Sequence, residues 1–263
     1  MAHIDINFIS NVLLRAVQIT LILPTKTAPT LQKDFIDNPS TYYQDKKDKK
    51  YPLLILLHGL LNDCNNWTSY ARAELYAEEH NIAICSISGE NSCYVNHGNN
   101  NFFDFIEYEL RDFLYGTFPI SSKREDNFIA GLSMGGVGAL HHAFACPEHY
   151  SAVGAFSSVP YLKNPYFKGI FKGDEIQSSL LKSLMENKEI PYVYMSIGDL
   201  DNQDYIKQNK KLVKLLKKNS INHEFHIEKN FSHEWRFWDQ ELEKFLKKLP
   251  REDAYSKEIP RGV

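Results

Sequence analysis

Short runs of consecutive apolar residues recur along the chain, and several of them end at a glycine. Such runs, roughly four to eight residues long, are typical of strands buried on both faces of a parallel sheet. Two N-terminal segments also have strand composition, and the second partly alternates apolar with polar residues. The predicted strands are "INFIS" (6–10), "AVQITLIL" (16–23), "PLLILLHG" (52–59), "NIAICSI" (81–87), "NFIAGL" (127–132), "SAVGAFS" (151–157), "YVYMSIG" (192–198) and "HEFHIE" (223–228).

Segments with helical spacing alternate with these strands. Their apolar residues recur every three or four positions, which predicts helices with one buried face. The predicted helices cover 67–79, 104–115, 136–146, 204–218 and 234–248. Alternating strands and helices form βαβ units, so we expect a mostly parallel sheet, made mixed by an antiparallel start.

The whole chain, 1–263, is therefore predicted to form one three-layer α/β domain. Residues 24–50 are rich in proline, lysine and aspartate, which indicates a surface excursion. Residues 160–191 form a longer connection between two core strands than a tight crossover needs. We interpret it either as a small cap-like insertion or as an ordinary crossover helix.

Composition narrows the class of protein. The 263 residues are 43% hydrophobic and 24% charged, with a formal net charge of −3. This near balance gives no reason to expect nucleic acid or an anionic membrane as a partner. The four cysteines lack a CxxC spacing, so we expect reduced thiols. Neither a secretory signal nor a long apolar run is visible, so we expect a soluble, cytoplasmic protein. The sequence leaves homo-oligomerisation open.

The segment "NFIAGLSMGGVGAL" (127–140) contains the pattern G-x-S-x-G, from Gly131 through Ser133 to Gly135. Because a predicted strand precedes it and a predicted helix follows, the pattern indicates a nucleophile elbow with an exposed Ser133 hydroxyl. Side chains two positions before and after the serine would collide with the neighbouring strand and helix, which explains the glycines. The N–H of Met134 is then expected to face a developing oxyanion.

A serine hydroxyl needs a base to remove its proton, and in this fold the histidine follows the serine in the chain. His141, His142 and His149 lie too close in sequence to fold back over Ser133, and the histidines of "HEFHIE" are expected to decorate a strand surface. His233, at the junction between the last predicted strand and the last predicted helix, is the remaining candidate. The start of that helix disfavours a resting imidazolium, which suits a base.

The acid that orients the histidine should follow the strand that ends near Gly198. The segment "SIGDLDNQD" provides Asp199, Asp201 and Asp204. We expect Asp204 to cap the next helix and Asp199 to brace the turn, which leaves Asp201 favoured over Asp199.

A second oxyanion donor should come from the loop after an early strand, and the amides of Leu60 and Leu61 in "LLHGLLNDCNNW" are both candidates. His58 precedes this loop. We expect it to fix the shape of the loop by hydrogen bonding rather than to act as a base.

These segments, together with "TFPISSKREDNFIAGLSMGGVGAL", "GDLD" and "HEWRFWDQELEKFL…LP", resemble the tributyrin esterase group of bacterial α/β-hydrolases. That group is allied to the esterase D or S-formylglutathione hydrolase family and, more distantly, to mycolyltransferases. The resemblance runs from the N-terminal strands to about Pro250.

The resemblance implies an α/β-hydrolase fold and hydrolysis of short acyl esters of small molecules, without cofactor or metal. By position it implies Ser133 as nucleophile, Asp201 as acid and His233 as base. It also implies the backbone N–H groups of Leu60 and Met134 as oxyanion donors. The segment "SGENSCYVNHG" (88–98) resembles the family's substrate-side loop, but Cys93 stands where an aromatic residue is more usual, and the 24–50 segment is longer than is typical.

Aromatic residues near these motifs are candidates for substrate binding. Within 160–191 they are Tyr161, Tyr166, Phe167 and Phe171; elsewhere they are Tyr94 and Trp67. Packing in the core is the alternative interpretation for each. The sequence thus predicts a serine carboxylesterase for short-chain acyl or acetyl esters. A feruloyl or cinnamoyl esterase, an S-formylglutathione-type thioesterase, an acyltransferase and a binding protein with an inactive site are the alternatives.

Overall fold

The computed structural model describes residues 1–24, 49–161, 169–171, 173–253 and 255–256. In this part of the chain, the strands are β1 Ala2–Ser10, β2 Arg15–Leu23, β3 Leu53–Leu57, β4 Ala83–Ile87, β5 Asn96–His97, β6 Asn100–Asn101, β7 Asn127–Leu132, β8 Ala152–Phe156, β9 Tyr192–Gly198 and β10 His223–Glu228. Eight of them form one sheet in the order β1-β2-β4-β3-β7-β8-β9-β10, and the two short strands β5 and β6 form a separate ribbon.

The first two strands pair antiparallel, and β2 also pairs antiparallel with β4, whereas the other pairings in the large sheet are parallel. The prediction of a mostly parallel sheet with an antiparallel start is therefore confirmed. Because β3, β7, β8 and β9 run in the same direction, the loops that follow them meet at one edge of the sheet.

Helices cover both faces of the sheet. The helices are α1 Asn66–Ser69, α2 Ala73–His80, α3 Phe102–Asp104, α4 Arg111–Thr117, α5 Met134–Ala145, α6 Glu175–Met185, α7 Gln203–Lys218 and α8 Trp235–Lys248. A π-helical stretch, Phe105–Leu110, joins α3 to α4. Among the described residues, no helix is both long and apolar enough to cross a membrane.

The core is divided into two clusters by the sheet. Leu53, Ile55 and Leu57 of β3 belong to the cluster under α4 to α7, while Leu54 and Leu56 belong to the cluster under α1, α2 and α8. Successive side chains of a strand point to opposite faces, so a strand covered on both sides must be apolar throughout. The predicted three-layer α/β-hydrolase architecture is confirmed.

The 160–191 segment contains α6, whose Ile176 and Leu180 are buried in the larger cluster. This part of the segment has the features of a crossover helix, and it packs against α5. Residues 162–168 and 172, which include the candidates Tyr166 and Phe167, lie outside the described residues, as does most of the predicted 24–50 excursion. The cap and the single-domain assignment stay predictions.

Candidate active site

Ser133 lies at the joint between β7 and α5. Its backbone has φ 51° and ψ −114°, a conformation that residues with a side chain rarely adopt. Its N–H donates to the carbonyl of Phe156 at 2.8 Å, which holds the turn against the neighbouring strand. A strained serine between a strand and a helix is the geometry of a nucleophile elbow.

The glycines around Ser133 are required by close backbone contacts. A Cβ on Gly131 would lie 2.4 Å from the carbonyl oxygen of Gly135, and a Cβ on Gly135 would lie 2.2 Å from the carbonyl oxygen of Leu57. No side chain fits at these separations. The predicted reason for the G-x-S-x-G spacing is therefore confirmed.

The loops after β9 and β10 are joined by backbone contacts. The Asp199 N–H donates to the carbonyl of Glu228 at 2.8 Å, and the Leu200 N–H donates to the carbonyl of Phe231 at 3.0 Å. This approach depends on Gly198, because a Cβ there would lie 2.1 Å from the Phe231 oxygen. The two loops consequently bring Asp201 and His233 together.

His233 donates from Nδ1 to the carboxylate of Asp201, at 3.0 Å to Oδ2 and 3.2 Å to Oδ1. The side chain of Asp201 is fully buried, while that of His233 is 34% exposed. With its proton on Nδ1, the neutral imidazole keeps Nε2 as an acceptor, which is the tautomer that a general base needs.

Opposing influences act on the pKa of Asp201. Burial of the carboxyl group acts to raise it, but the hydrogen bonds from His233 and the Asn202 N–H, together with the positive charge that His233 carries when it is protonated, outweigh burial. The net result is a pKa below the ordinary value, so Asp201 stays ionised beside His233.

The other two aspartates of this loop, Asp199 and Asp204, do not contact His233 and have different roles. Asp199 accepts a hydrogen bond from the Asn230 N–H at 2.7 Å, so it braces the turn as predicted. The prediction that Asp204 caps the following helix is wrong. Asn202 is the N-cap, and its side chain accepts from the Asp204 N–H at 2.8 Å, because α7 begins one residue earlier than expected.

Two backbone N–H groups remain available near Ser133. Among the described residues, neither the Leu60 N–H nor the Met134 N–H has an acceptor in the protein. The Leu61 N–H, by contrast, donates to Asn91 Oδ1 at 2.9 Å, so this alternative donor is occupied. Gly59 lies against the elbow, since a Cβ there would be 3.6 Å from Ser133 Cβ.

His58 is a fixed part of the loop before Leu60. Its Nδ1 donates to the Gly59 carbonyl at 2.6 Å, and its Nε2 accepts from the Gly89 N–H at 2.9 Å. Burial lowers the pKa of His58, so the ring is neutral and both nitrogens are used. The prediction that this histidine shapes the loop is confirmed.

The aromatic candidates for substrate binding are mostly buried. Tyr94 and Trp67 are 0% exposed and Phe171 is 4% exposed. The Tyr94 hydroxyl donates to the His58 carbonyl, and the Trp67 indole donates to the Leu57 carbonyl. These three side chains pack within the protein, so the geometry gives no support to substrate contacts. Phe167 lies outside the described residues.

A polar cavity lies beside the loop that follows β3; sequence analysis pointed to the segment 88–98 in its wall, but not to the cavity itself. The cavity has a volume of about 280 Å³, and Asn91, which binds the Leu61 N–H, is part of its wall. Its lining consists of Glu90, Asn91, Ser92, His97, Asn100 and Ile170. The available signal was the concentration of polar residues in "SGENSCYVNHG" (88–98).

A second cluster of ionisable groups lies at the far end of α5. Ligand atoms of Glu107, Cys146 and His149 are within 4.8 Å of one another, a spacing that a metal ion could span. Glu107, however, already accepts hydrogen bonds from His142, His149 and Tyr150. The cluster is thus a satisfied hydrogen-bond network in this structure.

Comparison with known proteins agrees with this geometry. Residues 32–249 match the family model described as "Putative esterase". An acetyl esterase of Caldicellulosiruptor saccharolyticus is 30% identical over an alignment of 267 positions, which covers 91% of this chain and 95% of that protein. The fold and site define a serine ester hydrolase, and the chain belongs to this esterase family.

Two solved structures from Staphylococcus aureus are similar along almost the whole chain. The fluorophosphonate-binding serine hydrolase F, solved with substrate bound, has a TM-score of 0.82 at 27% identity. The S-formylglutathione hydrolase FrmB has a TM-score of 0.78 at 26% identity. Each comparison covers 94% of this chain and 98% of the other.

Proposed function

We propose that the protein hydrolyses short-chain acyl esters, acetyl esters above all, through an acyl-enzyme on Ser133. His233 is the general base and Asp201 is the carboxylate that orients it. The observation that carries this proposal is the hydrogen bond from His233 Nδ1 to the buried Asp201, because it leaves Nε2 free to accept a proton. The acetyl esterase relative supports the choice of acyl group.

In the first half of the reaction, the Ser133 oxygen attacks the ester carbonyl carbon while His233 Nε2 takes the hydroxyl proton. The carbonyl oxygen becomes an oxyanion, which accepts hydrogen bonds from the Leu60 and Met134 N–H groups. As the C–O bond to the alcohol breaks, His233 returns the proton to the alcohol oxygen. An acyl-enzyme remains.

In the second half, water attacks the acyl carbon and His233 Nε2 takes a proton from it. The bond to Ser133 then breaks, His233 protonates the serine oxygen, and the carboxylic acid leaves. Asp201 stays ionised throughout and stabilises the imidazolium that forms in each half. Since its pKa is lowered, this role persists into mildly acidic solution.

The polar cavity indicates the character of the alcohol. Among the described residues that line it, five of six carry a hydrogen-bonding side chain, and one of them, Asn91, binds the Leu61 N–H in the loop 59–61, which we call the oxyanion loop. We propose that a small hydroxylated alcohol, rather than a long apolar one, is bound there.

The four buried free cysteines suit a reducing compartment such as the cytoplasm.

The test is a panel of p-nitrophenyl esters from acetate to octanoate, with methyl ferulate and S-formylglutathione alongside. We expect acetate to be turned over fastest, and the rate to fall as the acyl chain lengthens. Ser133→Ala should abolish both turnover and fluorophosphonate labelling. The Asp204→Asn variant, altered at an exposed carboxylate of the same face, serves as the purification-matched control.

The outcomes separate the alternatives. Faster turnover of S-formylglutathione than of p-nitrophenyl acetate would favour a thioesterase function, which the 26% identical hydrolase FrmB also suggests. Preference for methyl ferulate or octanoate would refute the short-acyl proposal. Labelling of a different serine in the Ser133→Ala variant would refute the nucleophile.

A further inference from the structure

Tyr94 lies fully buried between the oxyanion loop and helix α5. Its ring fits between two glycines: a Cβ on Gly89 would lie 2.0 Å from Tyr94 Cε1, and a Cβ on Gly138 would lie 2.6 Å from Cδ2. Tyr94 and the preceding Cys93 both have positive φ, 60° and 53°. The Tyr94 ring therefore fits at this place only because positions 89 and 138 carry no side chain.

The hydroxyl of Tyr94 donates to the His58 carbonyl at 2.9 Å. Burial raises the pKa of Tyr94 well above its ordinary value, so the hydroxyl keeps its proton and remains a donor. The His58 carbonyl belongs to the peptide that joins His58 to Gly59. The next peptide carries the Gly59 carbonyl, held by His58 Nδ1 at 2.6 Å, and the Leu60 N–H.

Two successive peptide planes are thus fixed by side chains, one by Tyr94 and one by His58. Because the Gly59 carbonyl and the Leu60 N–H belong to one planar unit, holding the carbonyl sets the direction of the N–H. An oxyanion donor is effective when its direction is set before the charge develops.

The other end of Tyr94 is anchored in a buried ionic network. Its carbonyl accepts from His142 Nε2 at 2.8 Å, and His142 Nδ1 faces Glu107 Oε1 at 2.5 Å. Both ring nitrogens of His142 are engaged, one with the Tyr94 carbonyl and one with Glu107, and the His142 and Glu107 side chains form a buried pair. Breaking such a buried pair is costly, which makes the anchor rigid.

We propose that Tyr94 is a positioning residue that orients the Leu60 N–H by tying the oxyanion loop to helix α5 and the Glu107–His142 pair. The proposal rests on the proposed function, because it assigns the oxyanion to Leu60. It gives Tyr94 a part in the reaction in place of the predicted contact with substrate.

Tyr94→Phe tests the proposal, since it removes the hydroxyl and keeps the ring. We expect kcat on p-nitrophenyl acetate to fall about tenfold with KM unchanged within about twofold, a fraction of the 10²–10³ lost when an oxyanion donor is removed outright. A trifluoromethyl ketone, whose bound form carries an oxyanion, should bind about tenfold more weakly.

Tyr194→Phe is the matched control. Tyr194 is also buried, and its hydroxyl donates at 2.8 Å to the buried Glu241, but it lies in the other core cluster, apart from the Glu107 network. We expect this variant to keep wild-type kcat and ketone affinity even where its melting temperature falls as much as that of Tyr94→Phe.

Equal kcat in wild type and Tyr94→Phe, or equal losses in both tyrosine variants, would overturn the inference. If Tyr94→Phe does not fold, His142→Gln probes the anchor: a severalfold loss of kcat supports the proposal and wild-type kcat refutes it. Fluorophosphonate labelling of Ser133 distinguishes a failure of the Tyr94 proposal from a failure of the proposed function. Slow but complete labelling in these variants leaves the nucleophile intact, whereas labelling elsewhere contradicts the proposed function itself.

Discussion

Asp201→Asn is the sharpest test of the site, because the structure specifies how the amide would change His233. In the native loop, Oδ1 accepts from the Asn202 N–H at 2.7 Å and Oδ2 faces His233 Nδ1 at 3.0 Å. An asparagine that keeps its oxygen on the Asn202 N–H must turn its NH₂ group toward His233. Two donors would then face each other, so the imidazole proton moves to Nε2.

The expected loss follows from that change of tautomer. With a proton on Nε2, His233 has no lone pair for the Ser133 hydroxyl. The equivalent change in a well-studied serine protease lowers kcat by ~10⁴, which corresponds to about 5 kcal/mol of transition-state stabilisation. We expect a loss of this order in kcat/KM on p-nitrophenyl acetate at pH 7, with a circular dichroism spectrum like that of the wild type.

Two other aspartates of the same loop provide controls. Asp199→Asn keeps an oxygen that accepts from the Asn230 N–H, and Asp204 lies exposed on α7. Both variants should retain activity within about threefold of the wild type, since neither carboxylate contacts His233. Asp201→Asn within tenfold of the wild type, or an equal loss in Asp199→Asn, would show that the acid has been misassigned.

Three further predictions concern stability. Gly135→Ala should destabilise the fold by about 3 kcal/mol, because its Cβ would lie 2.2 Å from the carbonyl oxygen at the end of β3. Burial acts to raise the pKa of Glu107, but hydrogen bonds from two histidines lower it to about 2 from an ordinary 4.5. That contribution, about 3 kcal/mol, is complete above pH 4.5 and is lost as the pH falls toward 2; melting of Glu107→Gln should therefore depend less on pH than melting of the wild type between pH 5 and 3. Asn202→Ala should cost about 1 kcal/mol through loss of the N-cap.

Chemical denaturation with matched variants checks these values. Gly116→Ala adds the same methyl group within a helix where nothing lies within 4 Å, so it should be neutral or slightly stabilising. Asp204→Ala alters the neighbouring position without removing a cap. Equal effects in the two glycine variants would contradict the steric argument for Gly135. A wild-type pH dependence in Glu107→Gln would contradict the lowered pKa of Glu107. A larger cost for Asp204→Ala than for Asn202→Ala would contradict the assignment of the N-cap.

Much of the fold could be predicted because the signals are local. The apolar run of β3 and the spacing of α8 each depend on residues within one element, and both elements appear close to their predicted bounds. The nucleophile elbow is also a local signal, since its steric demands fall on residues within two positions of Ser133. The boundary of α7 was harder, because Asp204 and Asn202 are both residue types that favour caps.

The arrangement of the candidate site required the tertiary structure. The choice between the Leu60 and Leu61 amides depends on Asn91, which lies 30 positions away and occupies one of them. Tyr94 has an aromatic side chain that suits a pocket as well as a core. The close contacts of Gly89 and Gly138 with the ring show that Tyr94 packs in the core.

Sequence patterns were sufficient to predict the order of strands and helices along the chain, the elbow at Ser133 and a short set of partners for it. Those properties depend on spacing along the backbone, which a pattern records directly. Sequence analysis already favoured Asp201 and His233 as partners, but their hydrogen bond, and the position of Tyr94 between the oxyanion loop and the buried Glu107–His142 pair, come from the tertiary structure. These contacts join residues 32, 36 and 48 positions apart, and hydrogen-bond geometry at such separations exists only after the sheet has brought its loops to one edge.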